Sequence, residues 1–142
     1  MDKTKLIELL NDDLAHELQA VLTYLHQYAT AGGLKGHELR EILEPEIVEE
    51  LDHAKFLADK IVSLGGKPKL QPAPFEEHAD VKAMLEYDLS LEKEAIQGYT
   101  ERAEQAKEFG DVGLSVRLED MVADETEHAE TIERLLRGFS DF

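Results

Sequence analysis

The chain has 142 residues, 42% of them hydrophobic, no cysteine, and a formal charge of −17 at pH 7. That length predicts a single domain, residues 1–142, around one substantial core, and the lack of thiols excludes disulfides, iron–sulfur clusters, thiolate zinc sites and cysteine nucleophiles. The charge repels nucleic acid and anionic membranes and favours cations as partners; no apolar run approaches a membrane span and Met1-Asp2-Lys3 leads straight into a charged amphipathic segment, so the expected compartment is the cytoplasm.

Leu, Glu and Ala dominate and strand-favouring residues are sparse, which predicts an all-α protein. Glycine and proline punctuation divides it into four helical runs, about 4–30, 36–64, 80–108 and 111–138. The first carries a seam of Leu10, Leu14, Glu17, Val21, Tyr24 and Tyr28, in the alternating steps of four and three of a core-facing stripe. A second stripe on the same helix, Leu18, Leu22, Leu25 and Ala29, is more than one bundle can cover and predicts a homodimer at the least.

After a turn at Ala31-Gly32-Gly33, the second run reads Leu43, Ile47, Glu50, Ala54, Leu57, Ile61 and Leu64, with His53 one turn from Glu50. Pro45 within it predicts a kink or a break. From Gly65 to about Ala79, Pro68, Pro72 and Pro74 preclude a helix. Extended, this stretch reaches about 45–50 Å, against about 40 Å for helices of this length, so it can cross over along the whole bundle. The third run gives Met84, Tyr87, Leu91, Glu94 and Gly98. The fourth, after a turn at Phe109-Gly110-Asp111, gives Leu114, Leu118, Met121, Glu125, His128, Ile132 and Leu135.

Each seam therefore carries a glutamate near its midpoint, and Glu17, Glu50, Glu94 and Glu125 are expected in one layer whichever way the helices run. Unpaired buried carboxylates cost on the order of several kcal/mol each, and two divalent cations would neutralise all four. Glu50 with His53, and Glu125 with His128, each place an imidazole one turn after a carboxylate so that both reach one ion; Glu17 and Glu94 would bridge or cap the pair, giving two sites related by a pseudo-twofold. Carboxylate and imidazole without thiolate suit iron(II) or manganese, with zinc as a substitute. These six residues are the expected metal ligands and catalytic groups. Tyr24, one heptad after Glu17, is a core residue or, close to the metals, a donor of a hydrogen bond or an electron. His16, His26, His37 and His78 lack a preceding glutamate at that spacing and are expected at the surface or behind the ligands. The reading without a metal is a helical interaction module in which these acids and histidines form buried ion pairs.

Leu14-Ala15-His16-Glu17-Leu18, Glu50 with His53, Asp88-Leu89-Ser90-Leu91-Glu92-Lys93-Glu94 and Asp124-Glu125-Thr126-Glu127-His128 resemble the bacterioferritin family, over essentially the whole chain. The resemblance implies a ferritin-like four-helix bundle with a long crossover between helices 2 and 3. It also implies two iron ions per chain in a ferroxidase centre that oxidises iron(II) with dioxygen or peroxide, and a homo-oligomeric shell that stores and detoxifies iron. Tyr24 matches the family's aromatic residue near that centre. Haem is not expected at the family's site, because Leu51 stands where the haem-binding members carry an axial methionine. The twenty-four-subunit cages have a short fifth helix, whereas this chain stops at Phe142, which leaves a dimer or a twelve-subunit shell open. A rubrerythrin-like peroxidase on the same scaffold is the nearest rival; with no cysteine, the rubredoxin-type iron of those proteins is excluded. No basic tail is present for binding DNA.

Overall fold

The computed structural model describes residues 1–139 and consists of four helices: α1 (Lys3–Thr30), α2 (Gly33–Ser63), α3 (Val81–Phe109) and α4 (Val112–Arg137). Three begin on aspartates whose side chains accept from the backbone amide of the first turn, Asp2 from Lys5, Asp80 from Ala83 and Asp111 from Leu114, satisfying donors that a helix start leaves open. Gly110, at φ 102°, ends α3 in the left-handed region that glycine adopts without strain.

Helix α2 starts at Gly33, earlier than the glycine run predicts. The reason is a close approach: a Cβ on Gly36 would lie 2.8 Å from the carbonyl carbon of Ala31, so a residue without one lets α2 leave directly from the end of α1. Pro45 does not break α2, which runs unbroken to Ser63. Both Pro45 and Glu41, whose carbonyl loses its helical donor, are exposed, so water can take the lost bond's place.

The crossover is as long as its prolines require. Between Leu64 and Asp80 it runs along α1: Asn11 donates to the Lys67 carbonyl (3.1 Å) and accepts from the Lys69 amide (2.8 Å), Ala73 donates to the Ala15 carbonyl (3.0 Å), and Gln19 donates to the Pro74 carbonyl (2.6 Å). It thereby returns the chain to the far end of α1, so α3 runs antiparallel to α1 and parallel to α2. Two apolar clusters fill the bundle, one around Leu6, Leu14, Leu57 and Leu118, the other around Tyr24, Leu43, Met84 and Ile132. Between them lies a polar layer. No helix is long and apolar enough to cross a membrane among the described residues.

Candidate metal centre

Glu17 on α1, Glu50 and His53 on α2, and Glu125 and His128 on α4 are all buried at mid-helix, where their seams place them. Glu94 is not: it is exposed, and the carboxylate α3 brings to the layer is Glu92, 1% exposed. This rotation of α3 buries Met84, Asp88, Leu91, Glu92, Tyr99 and Arg102 against its neighbours and is held on α1 by bonds from Tyr24 to Glu92 and from Arg102 to Asp13. Two residues are about 200° of helix, so with Glu92 inward Glu94 points elsewhere. A signal for Glu92 was present in the sequence, because the second hairpin repeats the first at one constant offset: Glu17, Glu50 and His53 map onto Glu92, Glu125 and His128.

The layer comprises two overlapping clusters, Glu17, Glu50, His53 and Glu125, and Glu50, Glu92, Glu125 and His128, each with candidate ligand atoms within 4.8 Å of one another. Glu50 and Glu125 are common to both, so they lie between the clusters, with Glu17 and His53 at one end and Glu92 and His128 at the other. His53 Nδ1 is 3.4 Å from Glu17 and 3.6 Å from Glu125. His128 Nδ1 is 3.2 Å from Glu50 and 3.5 Å from Glu92.

The other ring nitrogen of each histidine faces a carboxylate on the opposite hairpin: His53 Nε2 lies 2.9 Å from Asp124, and His128 Nε2 2.9 Å from Glu49. A proton kept on Nε2 leaves Nδ1 as the lone-pair donor toward the cluster. The remaining carboxylates are held by tyrosines in the same reciprocal manner, Tyr24 of α1 donating to Glu92 of α3 and Tyr99 of α3 donating to Glu17 of α1. Tyr24 thus lies against a carboxylate of the layer, whereas Tyr99, Glu49 and Asp124 escaped sequence reasoning: the repeat maps Tyr24 onto Tyr99 and Glu49 onto Asp124 but does not say what any of them touches.

Burial dominates the electrostatics. It holds the Glu50 carboxyl well above the usual range, reinforced by the neighbouring charge of Glu17. For His53, burial opposes the imidazolium, yet Glu17 and Glu125 outweigh it and raise the pKa to about 9. Histidine ion pairs alone still do not satisfy the layer: Glu17 Oε2, both oxygens of Glu50, Glu92 Oε2, Glu125 Oε1 and both Nδ1 atoms are buried without a hydrogen-bond partner. Buried polar atoms are rarely left so. Hard oxygens and imidazole nitrogens converging without partners are the donor set of a divalent metal pair, and they fit one better than they fit each other.

A cavity of about 30 Å³ adjoins the layer, lined by Glu17, Glu50, Glu92, Glu125 and the two tyrosines, and it extends past Ala95 and Gly98 to His16, Gln19 and Glu94 near the surface. Such a volume admits about one or two water-sized species. Of the other histidines, His16 and His37 are exposed and His26 and His78 half-buried, all away from the clusters.

Two antiparallel helix hairpins joined by a crossover, with a central carboxylate–histidine layer, define the class of di-metal carboxylate bundles. A ferritin-like domain model matches residues 7–141. The bacterioferritin of Brucella melitensis is 34% identical over 133 residues, 93% of this chain and 83% of that protein. Among solved structures, a ferritin-like, diiron-carboxylate protein of Bacillus anthracis matches with a TM-score of 0.92 and 44% identity, over 96% of this chain and 99% of that one. The bacterioferritin of Desulfovibrio desulfuricans, with its diiron site, matches with a TM-score of 0.91 and 27% identity, over 99% and 82%. The chain belongs to the bacterioferritin family of ferritin-like proteins.

Proposed function

We propose that this chain is a ferroxidase of iron storage and detoxification, acting as one ferritin-like unit with two iron ions held in the central layer. Glu17 and His53 would hold one ion, Glu92 and His128 the other, with Glu50 and Glu125 between them; manganese or zinc could occupy the same donors. The observation that carries this reading is the convergence of unpartnered carboxylate oxygens and Nδ1 atoms from all four helices on one buried layer. Bound there, two iron(II) ions supply one electron each to dioxygen or peroxide.

The chain's own residues prepare that event. Tyr24 and Tyr99 hold Glu92 and Glu17 by one oxygen, leaving the other free. Asp124 and Glu49 fix the tautomer of each histidine. The narrow cavity limits access to small molecules, and the acidic surface raises the local cation concentration. Leu51 offers no ligand atom to a haem. With Leu22, Leu25 and Val48 it remains exposed on α1 and α2, apolar surface that suits association with further copies.

The test is anaerobic titration of metal-free protein with iron(II), then exposure to oxygen with absorbance and metal content followed, alongside Glu50→Ala. Two rapidly oxidised irons per chain, lost in the variant, are expected, with further uptake marking storage. Fast turnover with peroxide and a reductant, without retained mineral, would instead favour a peroxidase. No stoichiometric iron would leave a metal-free module.

A further inference from the structure

The repeat that relates the two hairpins extends beyond the candidate ligands. At the same offset Asp13 maps onto Asp88, and Gln27 onto Arg102. The two hydrogen-bonded pairs they form, Asp13 with Arg102 and Asp88 with Gln27, are thus equivalent in place. They are not equivalent in charge.

At the Glu17/His53 end, Arg102 grips Asp13 through Nε at 2.8 Å and Nη2 at 3.1 Å, so acid and cation cancel. At the Glu92/His128 end, Asp88 is fully buried and receives only the Gln27 amide, 2.7 Å away, while its Oδ2 and the Gln27 Oε1 have no partner. Glu46 adds to this end. It lies one turn before Glu50, on the side away from His53, and is buried with Oε2 unpartnered. The repeat puts an apolar residue, Met121, at the corresponding place in the other half. No ion pair joins Asp88 or Glu46 to a cation among the described residues.

We infer that the two metal subsites are unequal: the Glu92/His128 subsite takes a divalent cation first and more tightly, and Glu46 and Asp88 are the positioning residues that set this order. The inference rests on the di-metal reading. Its physical basis is that a buried carboxylate without a fixed counter-charge interacts strongly with a cation arriving within a turn or two of helix, whereas one already paired with arginine contributes little net attraction. Neither residue need touch the metal. An affinity ratio of at least about tenfold is the expected scale for such a charge in a buried layer.

Cobalt(II) titration of the metal-free full-length protein, followed by visible absorbance and calorimetry, reads the two steps directly. Two ions per chain should bind in separable steps. His53→Ala should retain the tight step, and His128→Ala only the weak one. Glu46→Met, which installs the residue of the other half, should weaken the tight step about tenfold and leave the weak one unchanged, with helix content checked by circular dichroism. The isosteric Glu46→Gln should do the same. Two equal steps, a tight step that survives His128→Ala but not His53→Ala, or a ratio unchanged in both Glu46 variants would overturn the inference while leaving the di-metal reading intact. Fewer than two cobalt ions per chain in the unmodified protein would overturn both.

Discussion

His53 on α2 meets Asp124 on α4 across 2.9 Å, imidazole Nε2 to carboxylate Oδ2, and His128 on α4 meets Glu49 on α2 at the same distance. The two contacts cross-link the hairpins at the level of the carboxylate–histidine layer and point both Nδ1 atoms inward. Carboxylates that orient a metal-binding histidine by holding its other ring nitrogen support metal affinity by about 10–100-fold. Asp124→Ala should therefore weaken cation binding at the Glu17/His53 cluster by about that factor with little change in helix content, and Asp124→Asn, whose amide oxygen still accepts a hydrogen bond from Nε2, should lose less. Calorimetric titration with cobalt(II) measures both; unchanged affinity in Asp124→Ala would remove the orienting role.

The difference between Glu92 and Glu94 gives a direct contrast. Glu92→Gln should reduce the metal stoichiometry from two to one or fewer per chain, because the residue is buried among the cluster atoms. Glu94→Gln, at an exposed position on the cavity's outer lining, should leave two metals per chain. Elemental analysis after gel filtration decides it, and a loss of metal confined to Glu94→Gln would contradict the placement of α3.

Removing one partner of a buried ion pair is more damaging than the pair is worth, because the other charge is left alone. Arg102→Met should destabilise the fold by about 3–5 kcal/mol, with Asp13 stranded between α1 and α3. Asp13→Asn together with Arg102→Met should recover part of that loss. Urea unfolding of the metal-free proteins checks both, and full additivity of the two substitutions would mean that the pair is uncoupled.

Burial lifts Asp13 from 3.8 to about 6 and Glu46 from 4.5 to about 7. Both acids hold a proton more tightly folded than unfolded, so stability is greatest below their unfolded values and is lost as pH rises through the folded ones. His53 continues the trend: its stabilising charge is present below 6.5 and is lost as pH passes about 9. Metal-free protein should therefore melt lower at pH 9 than at pH 5, by roughly 5 °C or more. Saturating cobalt(II) should flatten or reverse the slope, since metal displaces those protons. Scanning calorimetry at a series of pH values tests the sign, and a metal-free melting temperature that rises across this range would contradict it.

Tyr99→Phe removes the donor on Glu17, and Tyr24→Phe the donor on Glu92. Each should slow iron(II) oxidation and weaken only its own cluster, by about tenfold, the scale of one lost buried hydrogen bond to a charged group. Stopped-flow absorbance and cobalt titration together separate the two effects. Equal weakening of both clusters by either substitution would argue for a general packing defect instead.

The sequence by itself determined the helices, the crossover and which five of the six singled-out residues, Glu17, Glu50, His53, Glu125 and His128, are buried in the central layer. These are properties of a single chain segment: apolar periodicity fixes which face of a helix is inward, and prolines fix where a helix cannot be. Glu17, Glu50, His53, Glu125 and His128 each lie on or beside an unambiguous seam. On α3 two stripes compete, one through Leu91, Glu94 and Gly98 and one through Asp88, Glu92, Ala95 and Tyr99. Composition along one helix cannot choose between them, because the rotation of α3 depends on what the neighbouring helices present to it. Only the tertiary structure decided that, through Tyr24 on Glu92 and Arg102 on Asp13. The same holds for the reciprocal contacts of Asp124, Glu49 and Tyr99, and for the unequal surroundings of the two clusters. They arise from which residues of distant segments meet, and no local pattern carries that information.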